Sequence, residues 1–226
     1  MQIETLDHVA LWVGNRDRLT DFLTAHAGMH VIDRTEKFTL VGADARRGKL
    51  TLFDAEGPRD PGVLARVGLV VHDLDEALAA LPRGISVERE DGLAAFEAGE
   101  GLRLALVERG EGVPYDLDHV VFRVPEPDVT YAQLAELGFA VEGGTLRADG
   151  ASIVLEQGDP GEPDRPLLNH LGLRVESAED HIEEAERRGL EIADVVDAEN
   201  TYAVFVWGPD RIKLEYVEHK PTFSLT

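Results

Sequence analysis

"LDHVVFRV", residues 117–124, is an alternating apolar stretch with a histidine near its start, and the chain repeats the phrase with small changes. "LDHVALWV" stands at 6–13 and "LNHLGLRV" at 168–175. A degenerate copy, "LARVGLVV" at 64–71, keeps the alternation but has Arg66 in the histidine's place. The marker positions 8, 66, 119 and 170 are separated by 58, 53 and 51 residues. Self-similarity at a nearly constant period decides an architecture before any residue is given a role. Four similar units tile the chain.

Each unit continues from strand to helix to a set of short strands. "NRDRLTDFLTAHAG" puts Leu19, Phe22 and Leu23 on one helical face, and "DLDEALAALPRG" does so with Leu74, Ala77, Leu78 and Leu81. "DVTYAQLAELG" and "SAEDHIEEAERRG" repeat the pattern, and Asn15 and Asp73 are suited to N-capping. The helices are expected to run out at or just before Gly28, Gly84, Gly138 and Gly189, since glycine accepts the left-handed conformation found there. The segments that follow, such as "KFTLVGADARRGKLTLFD" and "TYAVFVWGPDRIKLEYVE", are apolar runs broken by turn residues, as hairpins require. The unit is βαβββ, and the fold class is α+β.

Composition bounds the function. With 226 residues, 43% of them hydrophobic, the chain can bury two ordinary cores. No run approaches the roughly 20 apolar residues of a membrane helix, and "MQIETLDHV" lacks the features of a signal peptide, so a soluble, cytoplasmic protein is expected. There is no cysteine, so any metal must be held by histidine and carboxylates. Acidic residues number 44 against 22 basic ones, a net charge of −22, and lysine is confined to Lys37, Lys49, Lys213 and Lys220. Such a surface suits a high-salt, halophilic cytoplasm, although an ordinary acidic protein from a GC-rich genome would share it. Nucleic acid and anionic membranes are excluded as partners. A small-molecule substrate and a second copy in a homodimer are the expected ones.

A βαβββ unit that begins L-D-H-V and ends "FVWGPDRIKLE" resembles the vicinal oxygen chelate superfamily, which includes glyoxalase I, bleomycin resistance proteins and extradiol dioxygenases. The resemblance covers the whole chain. It implies that modules pair into half-barrel domains whose metal ligands come from the first and last strands. Glu215 follows Pro209 by six residues, as the ligand glutamate does in the family's D-P-x-G turn and strand, while Gly208 and Arg211 depart from that turn.

Strand parity agrees with this placement. Val120, Phe122 and Val124 can face a helix while His119, Val121 and Arg123 face the concave side, and on the closing strand Lys213, Glu215 and Val217 alternate with Ile212, Leu214 and Tyr216. Aligning the closing strands by their alternation puts Thr51, Ala105, Glu156 and Glu215 in register. Only the C-terminal half then keeps a full set: His119, Glu156, His170 and Glu215. These residues are expected to hold one divalent ion (Fe, Mn, Ni, Co or Zn), with no organic cofactor. The expected domains are residues 1–112 without metal (modules 1–58 and 59–112) and residues 113–226 with it (modules 113–162 and 163–226). The Pro/Gly-rich "EGVPYD" between them favours this pairing of neighbours. Four-module members of the family also pair first with fourth and second with third, which would unite His8 with His170 and Glu215.

Two enzymatic readings follow from the resemblance. A His/Glu/His/Glu set is similar to the site of glyoxalase I and related isomerases and lyases, where Glu156 or Glu215 would serve in turn as ligand and catalytic base on a substrate with vicinal oxygens. An Fe²⁺ extradiol dioxygenase is the alternative. Its catalytic tyrosine is replaced here by Phe205, and its acid/base histidine by Glu156. A metal-free binding or resistance protein is a third reading. His26, His30, His72, His181 and His219 are given no role.

Overall fold

The computed structural model describes residues 1–223. The four units are present as read. The first is β1 (Thr5–Val13), α1 (Arg16–His26), β2 (His30–Arg34), β3 (Phe38–Gly42) and β4 (Lys49–Asp54). The second is β5 (Leu64–Val71), α2 (Leu74–Ala79), β6 (Val87–Glu90), β7 (Leu93–Gly99) and β8 (Leu102–Glu108). The third is β9 (Leu117–Val124), α3 (Pro127–Glu136), β10 (Ala140–Glu142), β11 (Thr145–Ala148) and β12 (Ala151–Gln157). The fourth is β13 (Leu168–Arg174), α4 (Ala178–Arg188), β14 (Ile192–Asp197), β15 (Thr201–Trp207) and β16 (Lys213–His219), with a 3₁₀ turn at Pro209–Arg211 before β16.

The helix signals act as expected at most ends. Asn15, Asp73 and Ser177 each accept a backbone N–H of the first turn, and Pro127 opens α3 where no side-chain cap is made. α4 ends on Gly189 in the left-handed region (φ +65). α2 is the exception, because it stops at Ala79, well short of Gly84. Pro82 follows within one turn and cannot continue a helix.

The strands form two eight-stranded sheets, and their order corrects the expected pairing. One sheet runs β14-β15-β16-β13-β1-β4-β3-β2 and the other β10-β11-β12-β9-β5-β8-β7-β6. First pairs with fourth through antiparallel β1 and β13, and second with third through antiparallel β5 and β9. The domains are therefore not 1–112 and 113–226: one sheet draws on both ends of the chain, and the other on its middle. The segment 111–116 is no boundary between domains. It joins two modules of the same sheet and is firmly held, with the Tyr115 N–H on the Val70 carbonyl and the Asp116 carboxylate accepting from Gly48 N–H and Arg47. Proline and glycine mark a turn there, which is all their backbone preferences require.

Parity is borne out on the helix side of both sheets. Val120, Phe122, Val124, Leu171, Leu173, Ile212, Leu214 and Tyr216 are all fully buried. Rows of this kind supply most of the hydrophobic driving force, at about 25 cal/mol per Å² of apolar surface removed from water.

Candidate metal centre

The central strands β1 and β13 run antiparallel in a register that sets His8 opposite Gly172 and His170 opposite Ala10. Gly172 is flanked on its other side by Glu215 of β16, and Ala10 by Thr51 of β4. His8 can therefore reach the closing strand β16 only across Gly172, whereas His170, on the strand next to β16, meets Glu215 directly. At Gly172 the passage is tight: a Cβ there would lie 2.3 Å from His8 Cε1 and 2.7 Å from its Nε2. The ring of His8 thus lies over the bare glycine backbone.

Three donor atoms converge as a result. His8 Nε2 is 3.0 Å from His170 Nε2 and 3.2 Å from Glu215 Oε2, and His170 Nε2 is 3.1 Å from the same Oε2. His170 and Glu215 are buried, and Glu215 Oε2 faces the two imidazole nitrogens without an aligned hydrogen bond among the described residues. A buried carboxylate oxygen without an aligned donor is costly, and each such atom calls for a better partner. A divalent ion bonded at about 2.0–2.2 Å to two imidazoles and a carboxylate, with roughly right angles between them, needs donors about 3 Å apart. The cluster fits that requirement.

The surrounding groups orient the donors. His8 Nδ1 is 2.9 Å from Asp7 Oδ1, and Asp7 also meets buried Lys49, with Nζ–O distances of 2.9 and 2.8 Å. His170 Nδ1 is 3.0 Å from Asn169 Oδ1. Each histidine thus has its far nitrogen engaged and its Nε2 aimed at the cluster, the arrangement in which a ligand imidazole is held. Burial alone would depress His8, but the Asp7 and Glu215 carboxylates at its two ring nitrogens outweigh it and push the imidazole up to about 9. Burial depresses His170, with His8 beside it adding to the effect. Burial would raise the Glu215 carboxyl, but the two imidazoles outweigh it and hold it well below the usual range. Without metal the cluster gathers its positive charge on His8, which is charge that a divalent cation would supply instead.

Of the four ligands expected from the sequence, the structure brings together His170 and Glu215 and leaves out His119 and Glu156. His119 is in the other sheet, lying over Gly68, where a Cβ would be 2.4 Å from its ring. Its Nδ1 is 2.7 Å from Asp118, which Arg109 holds, and its buried Nε2 has no partner among the described residues. Glu156 is out of register by two. Val121 pairs with Val154 as Gly172 pairs with Glu215, so Val154 occupies the equivalent corner and Glu156 stands beside Arg123. Alternation along "ASIVLEQ" is unchanged by a shift of two, so the period alone could not fix the frame. The second sheet therefore offers His119, Arg66, Ala105 and Val154 at the four corners, with no carboxylate. The first offers His8, His170, Glu215 and Thr51.

His8 is the ligand that neighbour pairing missed. A signal for it was present two residues after each marker, where the chain has Ala10, Gly68, Val121 and Gly172. Pairing third with fourth would set His170 across the bulkier Val121. Only first with fourth sets a small residue opposite both histidines.

A cavity of about 380 Å³ adjoins the cluster, lined by His170, Asn169, Phe53, Phe205, Trp207 and Lys213 among others. Phe205 is the cross-strand partner of Glu215 and stands edge-on to His170, with centroids 5.1 Å apart. Among the described residues no helix is long and apolar enough to cross a membrane.

Residues 5–147 match the family model described as Glyoxalase/Bleomycin resistance protein/Dioxygenase superfamily. Among solved structures, a candidate dioxygenase from Bacillus subtilis subsp. subtilis str. 168 is 18% identical with a TM-score of 0.77, the match covering 97% of this chain and 86% of that one. Glyoxalase I from Zea mays is 17% identical with a TM-score of 0.73, covering 95% and 92%. The cppA protein from Streptococcus pneumoniae TIGR4 is 17% identical with a TM-score of 0.62, covering 96% and 100%. At these identities the likeness shows the fold. No curated protein matches the chain at a significant level.

Proposed function

Because the chain belongs to the Glyoxalase/Bleomycin resistance protein/Dioxygenase superfamily, we propose that it is a divalent-metal enzyme in which His8, His170 and Glu215 hold the ion and a small molecule chelates it through vicinal oxygens. The observation that carries this reading is the convergence of three donor atoms 3.0–3.2 Å apart, two of them on buried side chains, with the carboxylate oxygen facing both imidazole nitrogens. Two imidazoles and one carboxylate on adjacent positions are the donor set of non-haem Fe²⁺ oxygenases. We therefore rank oxygen-dependent chemistry ahead of isomerase or lyase chemistry. The latter was supported by a second carboxylate at the fourth corner, and Thr51 stands there instead. Bound iron would supply redox chemistry and an electrophilic seat for substrate oxygens.

The protein's own contribution is orientation and exclusion of water. Asp7 and Asn169 fix the two imidazoles, Lys49 neutralises Asp7, and Phe53 and Phe205 provide an apolar wall beside His170. Phe205 and Thr51 hold no titratable proton, so a substrate receives little general acid/base help at these two corners. Reconstitution with Fe²⁺, Zn²⁺ or Ni²⁺, followed by an oxygen electrode and product analysis with 3,4-dihydroxybenzoate and with aromatic 2-hydroxy acids, tests the reading. Oxygen uptake with iron alone is expected. Turnover by the zinc or nickel protein without oxygen uptake would return the isomerase reading to first place.

A further inference from the structure

Lys213 precedes Glu215 by two residues on β16, so the two share the concave face one pleat repeat apart, about 7 Å along the strand. It lines the 380 Å³ cavity beside His170, and also a second cavity of about 510 Å³. Its ammonium lies 5.5 Å from the ring centroid of Trp207 and 5.9 Å from that of Phe205. Among the described residues it makes no ion pair, although the chain has twice as many acids as bases. Lys49 and Lys220 each meet a carboxylate directly. Asp194 lines the smaller cavity but does not close on the ammonium. A half-buried cation kept from pairing in so acidic a protein costs desolvation that two aromatic faces offset only in part.

The cavity walls give a second, independent indication. Aromatic residues are 6% of the chain, yet both of its tryptophans, Trp12 and Trp207, line the larger cavity, and Phe53 and Phe205 line the smaller. Such walls accept a flat apolar body, and Lys213, the one cation without an ion pair among the described lining residues, accepts a negative charge at one end of it.

We propose that Lys213 anchors the anionic group of the substrate, and that the substrate is an aromatic carboxylate whose vicinal oxygens face His8, His170 and Glu215. The vicinal-oxygen half of this statement rests on the metal-enzyme reading above, and the carboxylate half does not. The test is a set of calorimetric titrations with 3,4-dihydroxybenzoate and with catechol, which share a diol and differ in the carboxylate. Each is run on Co²⁺-loaded and on chelator-stripped protein, for wild type, Lys213→Met and Lys213→Arg. A metal contributes to both probes, so the change in their affinity ratio between wild type and Lys213→Met reports on Lys213. The expected result is a wild-type preference for the acid of about tenfold or more, equivalent to about 1.4 kcal/mol. Lys213→Met should abolish it without changing catechol affinity, and Lys213→Arg should restore most of it. Equal affinity of wild type for the two probes, or a preference that survives in Lys213→Met, overturns the proposal. Failure of Co²⁺ to bind defeats the metal-enzyme reading instead and leaves the stripped-protein ratio to decide the role of Lys213.

Discussion

Replacing Gly172 by alanine separates His8, the ligand the structure assembles, from His119, the ligand expected from the sequence. The added Cβ would lie 2.3–2.7 Å from three atoms of the His8 ring, whereas ordinary van der Waals contact begins near 3.4 Å. The ring must therefore retreat by about 1 Å, and metal–ligand distances tolerate only about 0.2 Å. Gly68→Ala creates the same clash with His119, at 2.4–2.8 Å, in the sheet without a carboxylate. Each variant overpacks one strand pair and should lose about 1–3 kcal/mol in urea unfolding. Only Gly172→Ala should lose metal. Disturbing a group that merely orients a ligand weakens binding about 10–100-fold, and displacing the ligand itself should exceed that. Calorimetric titration with Co²⁺ at matched temperature reads the difference. The reasoning is refuted if the two variants bind Co²⁺ alike, or if Gly68→Ala is the one that fails.

Other expectations follow from the same geometry. Lys49→Met leaves the buried Asp7 carboxylate with only His8 and His219 beside it, which should cost about 3–5 kcal/mol in urea unfolding, and a loss below about 1 kcal/mol would contradict the pairing. Glu156→Gln should leave metal content unchanged by atomic emission, since Glu156 lies two residues beyond the corner it was expected to fill, and a stoichiometric loss would contradict the register. Bare catechol should be opened by the iron-loaded protein far below the 10 s⁻¹ typical of enzymes, because missing general acid/base groups cost about 10² to 10⁴ in rate. An ordinary turnover number in a spectrophotometric ring-cleavage assay would show that another group moves the proton.

The modules were legible because each repeats the same physical instructions: alternation for a strand, a polar cap before a helical stripe, and glycine or proline at the turns. Tyr216, Leu214 and Ile212 fell on the buried face because a strand's parity is fixed once one residue is placed. Pairing was harder to read, because β1, β5, β9 and β13 carry nearly interchangeable edges and alternation does not say which edge meets which. The distinguishing information was steric and concerned partners remote in sequence: His8 needs Gly172 opposite it, and His170 has the small Ala10 opposite it. Glu156 was misplaced for a related reason, since a slip of two keeps every side chain on its own face. The environment of the site was less visible still. Lys49, Asp7 and Asn169 are separated from the donors they influence by hydrogen bonds that strand periodicity does not encode. His219, given no role from the sequence, lies 3.4 Å from Asp7.

The most direct test of the central claim is the bound-metal stoichiometry of His8→Ala and His119→Ala, measured by atomic emission after reconstitution with Fe²⁺ and gel filtration. The geometry predicts near-complete loss in His8→Ala and one ion per chain in His119→Ala, since His119 is in the other sheet. Full metal content in His8→Ala, with loss in His119→Ala, would contradict it.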